Sequence, residues 1–251
     1  LIHLLLVGWA AFAAETAVVG PALYRPMFPP SPEEAEVEVP AFRMDVTPVT
    51  NAEFLDFVLQ NPEWRLDSIS RLYADPRYLH RWRGPTTLGP ASPPEAPVVH
   101  VSWFAARAYC RSEGGQLPTV AQWELAASAD ADRWDARRDP EFVASILSWY
   151  ARPTPAVHPD VGTGAPNRWG VRDLHGLVWE WTKDFDSELV AGDARDQGDP
   201  DLRLFCGAGT VGATDPANYA AFMRISMRSA VRADHTTSGL GFRCAYPLEG
   251  P

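Results

Sequence analysis

Residues 178–181 read Val-Trp-Glu-Trp, and this run limits the fold more than any other part of the chain. Strand alternation sends Trp179 and Trp181 to one face and Val178 and Glu180 to the other. Two tryptophans in sequence call for a core. A carboxylate inside a core must be neutralised, because an unpaired buried charge is very costly. The partner of Glu180 therefore bears on function. An arginine is one candidate, and the chain has many: of its 22 basic residues only Lys183 is a lysine.

The 24 Pro and 18 Gly argue against long helices and point to a loop-rich α+β domain. Within it, local signals place three helices. Thr50 caps the first, with Glu53 at the capping-box offset and Phe54, Phe57 and Val58 on the apolar face. Ser102 caps the second, which carries Ala105, Ala106, Tyr109 and Cys110 and stops at Gly114 or Gly115. Thr119 caps the third, with Trp123, Leu125 and Ala126 as buried candidates. Phe42, Met44 and Val46 alternate as a strand, and the segment 178–185 reads as another. Residues 131–167 read as mostly irregular. The net charge of −10 excludes a nucleic-acid footprint.

Leu1 to Ala14 is apolar apart from His3, and Glu15 ends the run. Two readings stand. It is the apolar region of a secretory signal, with "AFAAE" as cleavage site, or an uncleaved helical anchor. As a helix, Leu1 to Val19 would reach roughly 28 Å at about 1.5 Å per residue, against about 30 Å of bilayer core. Both put the globular part outside the cytoplasm, in the periplasm. The expected layout is a hydrophobic helical segment at 1–20 that binds the membrane, a Pro-rich acidic linker at 21–40 without packing periodicity, and a domain at 41–251.

Four motifs occur in order: "MDVTPVTNAEFLDFV", "PVVHVSWFAARAYCRSEGGQLPTVAQWELAA", "NRWGVRDLHGLVWEWTKDF" and "GLGFRCA". Together they resemble the formylglycine-generating enzyme and sulfatase-modifying-factor family, across about residues 40–246. The resemblance implies an α+β fold related to C-type lectins, low in regular secondary structure. It implies one Ca²⁺ site formed by the Asp173 side chain, the Gly176 and Val178 carbonyls and the Glu180 carboxylate, an oxygen set suited to that hard ion. Leu177 stands where family members usually carry Asn. It also implies a Cys110–Cys244 disulfide, which leaves Cys206 alone.

Catalytic members of the family hold copper with two closely spaced cysteines after a "GGS"-like turn. Here that turn reads "CGAGT", and no cysteine occurs between Cys206 and Cys244. No copper is expected, and the family's oxidation of a cysteine to formylglycine does not carry over. The related iron-dependent sulfoxide synthases take metal ligands from an additional domain, which is not expected here. Cys206 is a candidate reactive thiol or a buried inert one. His100, His175, the His158/Asp160 pair and the Asp234/His235 pair lack partners at motif spacing and read as structural. Arg224, Arg228 and Arg232 recur every four residues, as a stripe that grips a carboxylate or as a solvated helix face.

A finer resemblance, through "ARPTPAV", "VRDLHGLVWEW", "QGDPD" and "FCGAGT", is to a family subgroup found beside bacterial nitrite reductases and other exported electron-transfer proteins. The expected function is a non-catalytic accessory or structural subunit on the extracytoplasmic face of a membrane electron-transfer complex, respiratory or photosynthetic. It would bind partner subunits of that complex through the domain. The alternative is an exported enzyme that modifies proteins or small molecules at a different active site near Cys206. Ligand binding in the lectin manner is a third class.

Overall fold

The computed structural model describes residues 14–27, 36–185 and 216–248. A three-stranded antiparallel sheet brings together β1 (Thr16–Val19), β4 (Phe42–Asp45) and β7 (Ala245–Pro247), in the order β1-β4-β7. Thr16 faces Asp45, and Met44 faces both Ala17 and Ala245. β2 (Ala22–Tyr24) pairs with β3 (Val37–Val39). β5 (Trp179–Glu180) runs parallel to β6 (Leu240–Gly241). Five α-helices and a short 3₁₀ helix (Pro62–Trp64) complete the described chain: α1 (Asn51–Gln60), α2 (Trp103–Ser112), α3 (Val120–Ala127), α4 (Pro140–Tyr150) and α5 (Pro216–Ser229).

The capping residues act as read. Thr50 and Glu53 form a capping box on α1, Ser102 accepts from the Ala105 N–H, and Thr119 with Gln122 forms a second box on α3. These boxes satisfy N–H groups that a helix start leaves without partners. α1, α2 and the C-terminal residues Leu240, Phe242 and Cys244 bury one core. α3 buries the other against Val19, Tyr24, Val39, Phe42 and Met44. The Cys110–Cys244 disulfide ties α2 to the residue before β7, with Cα atoms 5.4 Å apart.

Three expectations change. Residues 16–19, 22–24 and 37–39, read as parts of the apolar segment and the linker, are strands. Val19 of β1 and Val39 of β3 are buried, while Val18 points to solvent. Mean hydropathy hid this alternation. The expected N-terminal helix otherwise falls on residues 1–13, outside the described residues, and no described helix is long and apolar enough to cross a membrane. Second, α4 forms inside the stretch read as irregular, capped by Asp139 with Pro140 in its first turn. Third, the strand read over 178–185 is only two residues long, because its partner β6 is no longer. Gly241 is required in β6: a Cβ there would lie 2.7 Å from the Val98 carbonyl oxygen.

Candidate functional site

Glu180 meets an arginine. Arg243 Nη2 lies 2.8 Å from Glu180 Oε1 and Arg243 Nε 2.8 Å from Oε2, and neither side chain has any solvent exposure. The Trp123 indole N–H donates to Oε2 at 2.7 Å. Arg243 further donates to the carbonyls of Asp45, Val46 and Arg172. All five guanidinium N–H groups are thereby used, and the bidentate pair is the strong form of this interaction.

This arrangement does not fit the calcium set implied by the resemblance. Both Glu180 oxygens are engaged by N–H donors and its charge is already balanced. Asp173, in the left-handed region at φ 59°, accepts from the Gly162 N–H. Among the described residues no group of three His, Cys, Asp or Glu side chains converges, a count that does not include backbone carbonyls such as those of Gly176 and Val178. Trp181 is fully buried and bonds the Val101 carbonyl at 2.9 Å. Trp179, its neighbour on the same face, is only half-buried.

A second buried carboxylate, Glu124 of α3, meets two arginines of α5. Arg224 reaches it through Nε and Nη2, the shortest contact being 2.6 Å. Arg228 Nη1 lies 2.9 Å away. The four-residue spacing puts both arginines on one helix face. The solvated-face reading of this stripe is thus corrected for its first two members, which are 5% and 3% exposed. Arg232 lies beyond the helix, exposed, and pairs with Asp234. Burial alone would push the Glu124 carboxyl up. The attraction of Arg224, its hydrogen bonds and Arg228 outweigh that and hold it down to about 2. The Arg228 guanidinium also covers the Trp123 ring at 4.5 Å. Trp123 therefore touches both centres, donating its N–H to Glu180 and presenting its face to Arg228.

Arg224 leads outward. Its Nη1 donates to the Tyr150 hydroxyl at 3.1 Å, which donates to the Ala220 carbonyl. The Tyr150 ring stacks on Trp179 with centroids 4.7 Å apart, and Trp149 leans on Trp179 at 5.2 Å. These three rings form one wall of a partly open cavity of about 230 Å³, lined also by residues 152–155, 158 and 159, by Gly176 and Leu177, and by Gly239. His158 is 4% exposed and lines it. His158 Nε2 donates to the Ser238 carbonyl at 2.6 Å, and Nδ1 has no partner among the described residues. Burial lowers its pKa.

The remaining histidines read as structural stay apart from this cavity. His175 donates from Nε2 to the Ala127 carbonyl and packs against Trp123 and Phe142; burial, chiefly, lowers its pKa to about 4. His100, at φ 57°, packs edge-on against His80 at 4.0 Å, and burial lowers its pKa to about 3. Cys206 and the "CGAGT" turn lie outside the described residues. The cavity escaped sequence reading because its walls come from α4, which the pattern did not show, and from residues some 80 positions apart. The run Trp149-Tyr150 followed by "ARPTP" was the one available signal.

The model of the sulfatase-modifying factor enzyme 1-like domain matches residues 13–248. The inactive C-alpha-formylglycine-generating enzyme 2 of Bos taurus is 32% identical over 249 residues, covering 84% of this chain and 78% of that protein. The formylglycine-generating enzyme of Bos taurus is 28% identical over 251 residues, covering 83% of this chain and 66% of that one. Among solved structures, PvdO from Pseudomonas aeruginosa superposes with a TM-score of 0.51 at 17% identity, over 94% of this chain and 95% of its own, a likeness of fold alone. With the family model spanning nearly the whole chain and the Cys110–Cys244 bridge in place, the chain belongs to the family of sulfatase-modifying factor enzyme 1-like domains.

Proposed function

We propose that this chain is a non-catalytic member of its family, an accessory or structural subunit that binds partner proteins outside the cytoplasm. One observation carries the reading: of three cysteines in the sequence, two are joined in the Cys110–Cys244 disulfide. One thiol remains, and the family's two-thiolate copper chemistry needs a pair. The likeness to a relative whose name states that it is inactive supports the same reading. The placement in a membrane electron-transfer complex rests on the sequence resemblance alone. The alternative of a different active site near Cys206 has no described geometry behind it.

Two measurements test this. Purified full chain is incubated with copper, oxygen and a cysteine peptide of the sulfatase type, and aldehyde formation is followed by mass spectrometry. No conversion is expected, and turnover above the copper-only control would overturn the non-catalytic reading. Gentle solubilisation of native membranes should then return the chain in an assembly with other subunits. Its recovery as a lone monomer would overturn the accessory role.

A further inference from the structure

We propose that the outer face of α2, together with the turn at 71–73, docks an acidic amphipathic helix of a partner protein. Its apolar residues would meet Leu72 and the rings of Tyr73 and Phe104, and its carboxylates, three or four residues apart, would meet Arg107 and Arg111. The inference rests on the accessory reading of the chain and adds to it the surface and the kind of partner.

The patch is continuous and open to solvent. Leu72 is 79% exposed and Tyr73 46%. Tyr73 meets Trp64 on one side, with centroids 5.8 Å apart, and Phe104 on the other at 5.3 Å. Phe104 in turn meets Trp103 at 5.5 Å. Trp64, Trp103 and Phe104 are half-buried, so each keeps part of its surface in water. α2 turns Ala105, Ala106, Tyr109 and Cys110 into the core, which leaves Trp103, Phe104, Arg107 and Arg111 on its outer side. The tryptophans are held from beneath. The Trp103 indole N–H donates to the Thr182 carbonyl, and the Tyr78 hydroxyl donates to the Trp64 carbonyl, both at 2.9 Å. Anchors fixed in advance lose little entropy on binding. Trp, Tyr and Arg are the residues that dominate interface energetics, and apolar patches rimmed by polar groups mark interaction sites.

Charge names the partner. The two stretches that carry the patch, 61–73 and 103–112, hold four arginines against Glu63 and Asp67, an excess of two positive charges on a chain whose net charge is −10. Asp67 is taken by Arg65. Glu113, at the C-cap of α2, interacts with Tyr109 and Glu53, on the core side. Arg71, Arg107 and Arg111 form no ion pair among the described residues. The Arg107 guanidinium lies 5.2 Å from the Trp103 ring, a cation–π contact that orients it and leaves its N–H groups for an acceptor. Arg107 and Arg111 stand one turn apart, about 5–6 Å between Cβ atoms. A helix with Asp or Glu three or four residues apart presents carboxylates at the same interval, and each arginine can grip one through two hydrogen bonds. A lipid surface fits less well, because an anionic leaflet repels a chain of this net charge.

The test uses the full chain in gently solubilised native membranes. A benzophenone amino acid placed at position 72 is activated by light, and the cross-linked peptide is sequenced by mass spectrometry. The expected product is a peptide of another protein with two Asp or Glu three or four residues apart beside an apolar residue. A cross-link to lipid, to a second copy of this chain, to residues 186–215 of the chain itself or to a peptide without such carboxylates overturns the proposal, as does the absence of any cross-link. Arg107→Glu combined with Arg111→Glu should shorten the half-life of the assembly after dilution about a hundredfold, the loss of two charged hydrogen bonds. High salt should shorten the half-life of the wild-type assembly and move that of the double variant far less. Leu72→Asp is the second variant. A side chain 79% exposed can be changed without disturbing the core, so the thermal midpoint should stay while the half-life falls about tenfold. A half-life unmoved in either variant overturns this surface and leaves the accessory reading standing. Recovery of the wild-type chain alone overturns the accessory reading and this surface with it.

Discussion

Glu180 and Glu124 are both buried and both meet arginine, but the ratios differ. Glu180 has one arginine partner, Arg243, whose five donors all find acceptors. Charge cancels and geometry is complete, as a purely structural centre requires. Glu124 faces two arginines, so among the described residues this centre holds one positive charge in excess. The electron-rich face of Trp123 under Arg228 takes up part of it, and the Tyr150 hydroxyl accepts from Arg224. The balanced centre has no solvent exposure at either side chain. The unbalanced one reaches, through Tyr150, the aromatic wall of the cavity at His158. The comparison separates a charge that only holds the fold from a charge that also shapes a site.

The largest effect is expected from the covalent tether beside the balanced centre. Cys244 follows Arg243 directly, and its bridge closes a sequence separation of 134 residues. Cys110→Ser with Cys244→Ser should cost about 4–5 kcal/mol on the loop-entropy model, measured by urea unfolding. Hydrogen exchange around Arg243 should rise more than exchange in α5. An equal rise in both would remove the distinction between the centres.

Next comes Glu180→Ala, which strands a fully buried guanidinium and should cost about 3–5 kcal/mol. Arg228→Met should cost less, about 1.5–3 kcal/mol, the loss of one charged hydrogen bond, because Arg224 still neutralises Glu124. If both substitutions cost the same, the two-to-one centre is no more tolerant than the one-to-one centre and the contrast fails.

A further contrast is in pH, where the two regions have opposite signs. Glu124 is held down to about 2 from an ordinary 4.5. Its stabilisation is present above 4.5 and lost as pH falls toward 2. Asp45 accepts from the Cys244 N–H, and burial, opposed by that bond, raises its carboxyl to about 7 from 3.8. Below 3.8 its ionisation costs nothing, and the cost grows as pH rises from 3.8 to 7. Unfolding midpoints should therefore rise as pH falls from 7 toward 4.5 and drop below that. Asp45→Asn should flatten the first leg alone; if that leg keeps its slope in the variant, the assignment to Asp45 is wrong.

Much of the local structure was readable. Thr50, Ser102 and Thr119 announced three helices because a cap is a contact between residues three apart, and such contacts are written in spacing. The same signal was present for α4, in Asp139 followed by Pro140, but the Arg- and Asp-rich run before it and the Pro-rich run after it obscured it. β1 was hidden for a different reason: its four residues make sense only beside β4.

What the sequence determined by itself is the demand. A carboxylate between two tryptophans needs a neutralising partner, and three cysteines leave at least one outside any disulfide within the chain. What only the tertiary structure decided is who meets that demand. Arg243 stands 63 residues from Glu180, and Arg224 stands 100 residues from Glu124. The chain's arginines are chemically equivalent until the fold buries some of them, and in a low-dielectric interior proximity alone selects the pair.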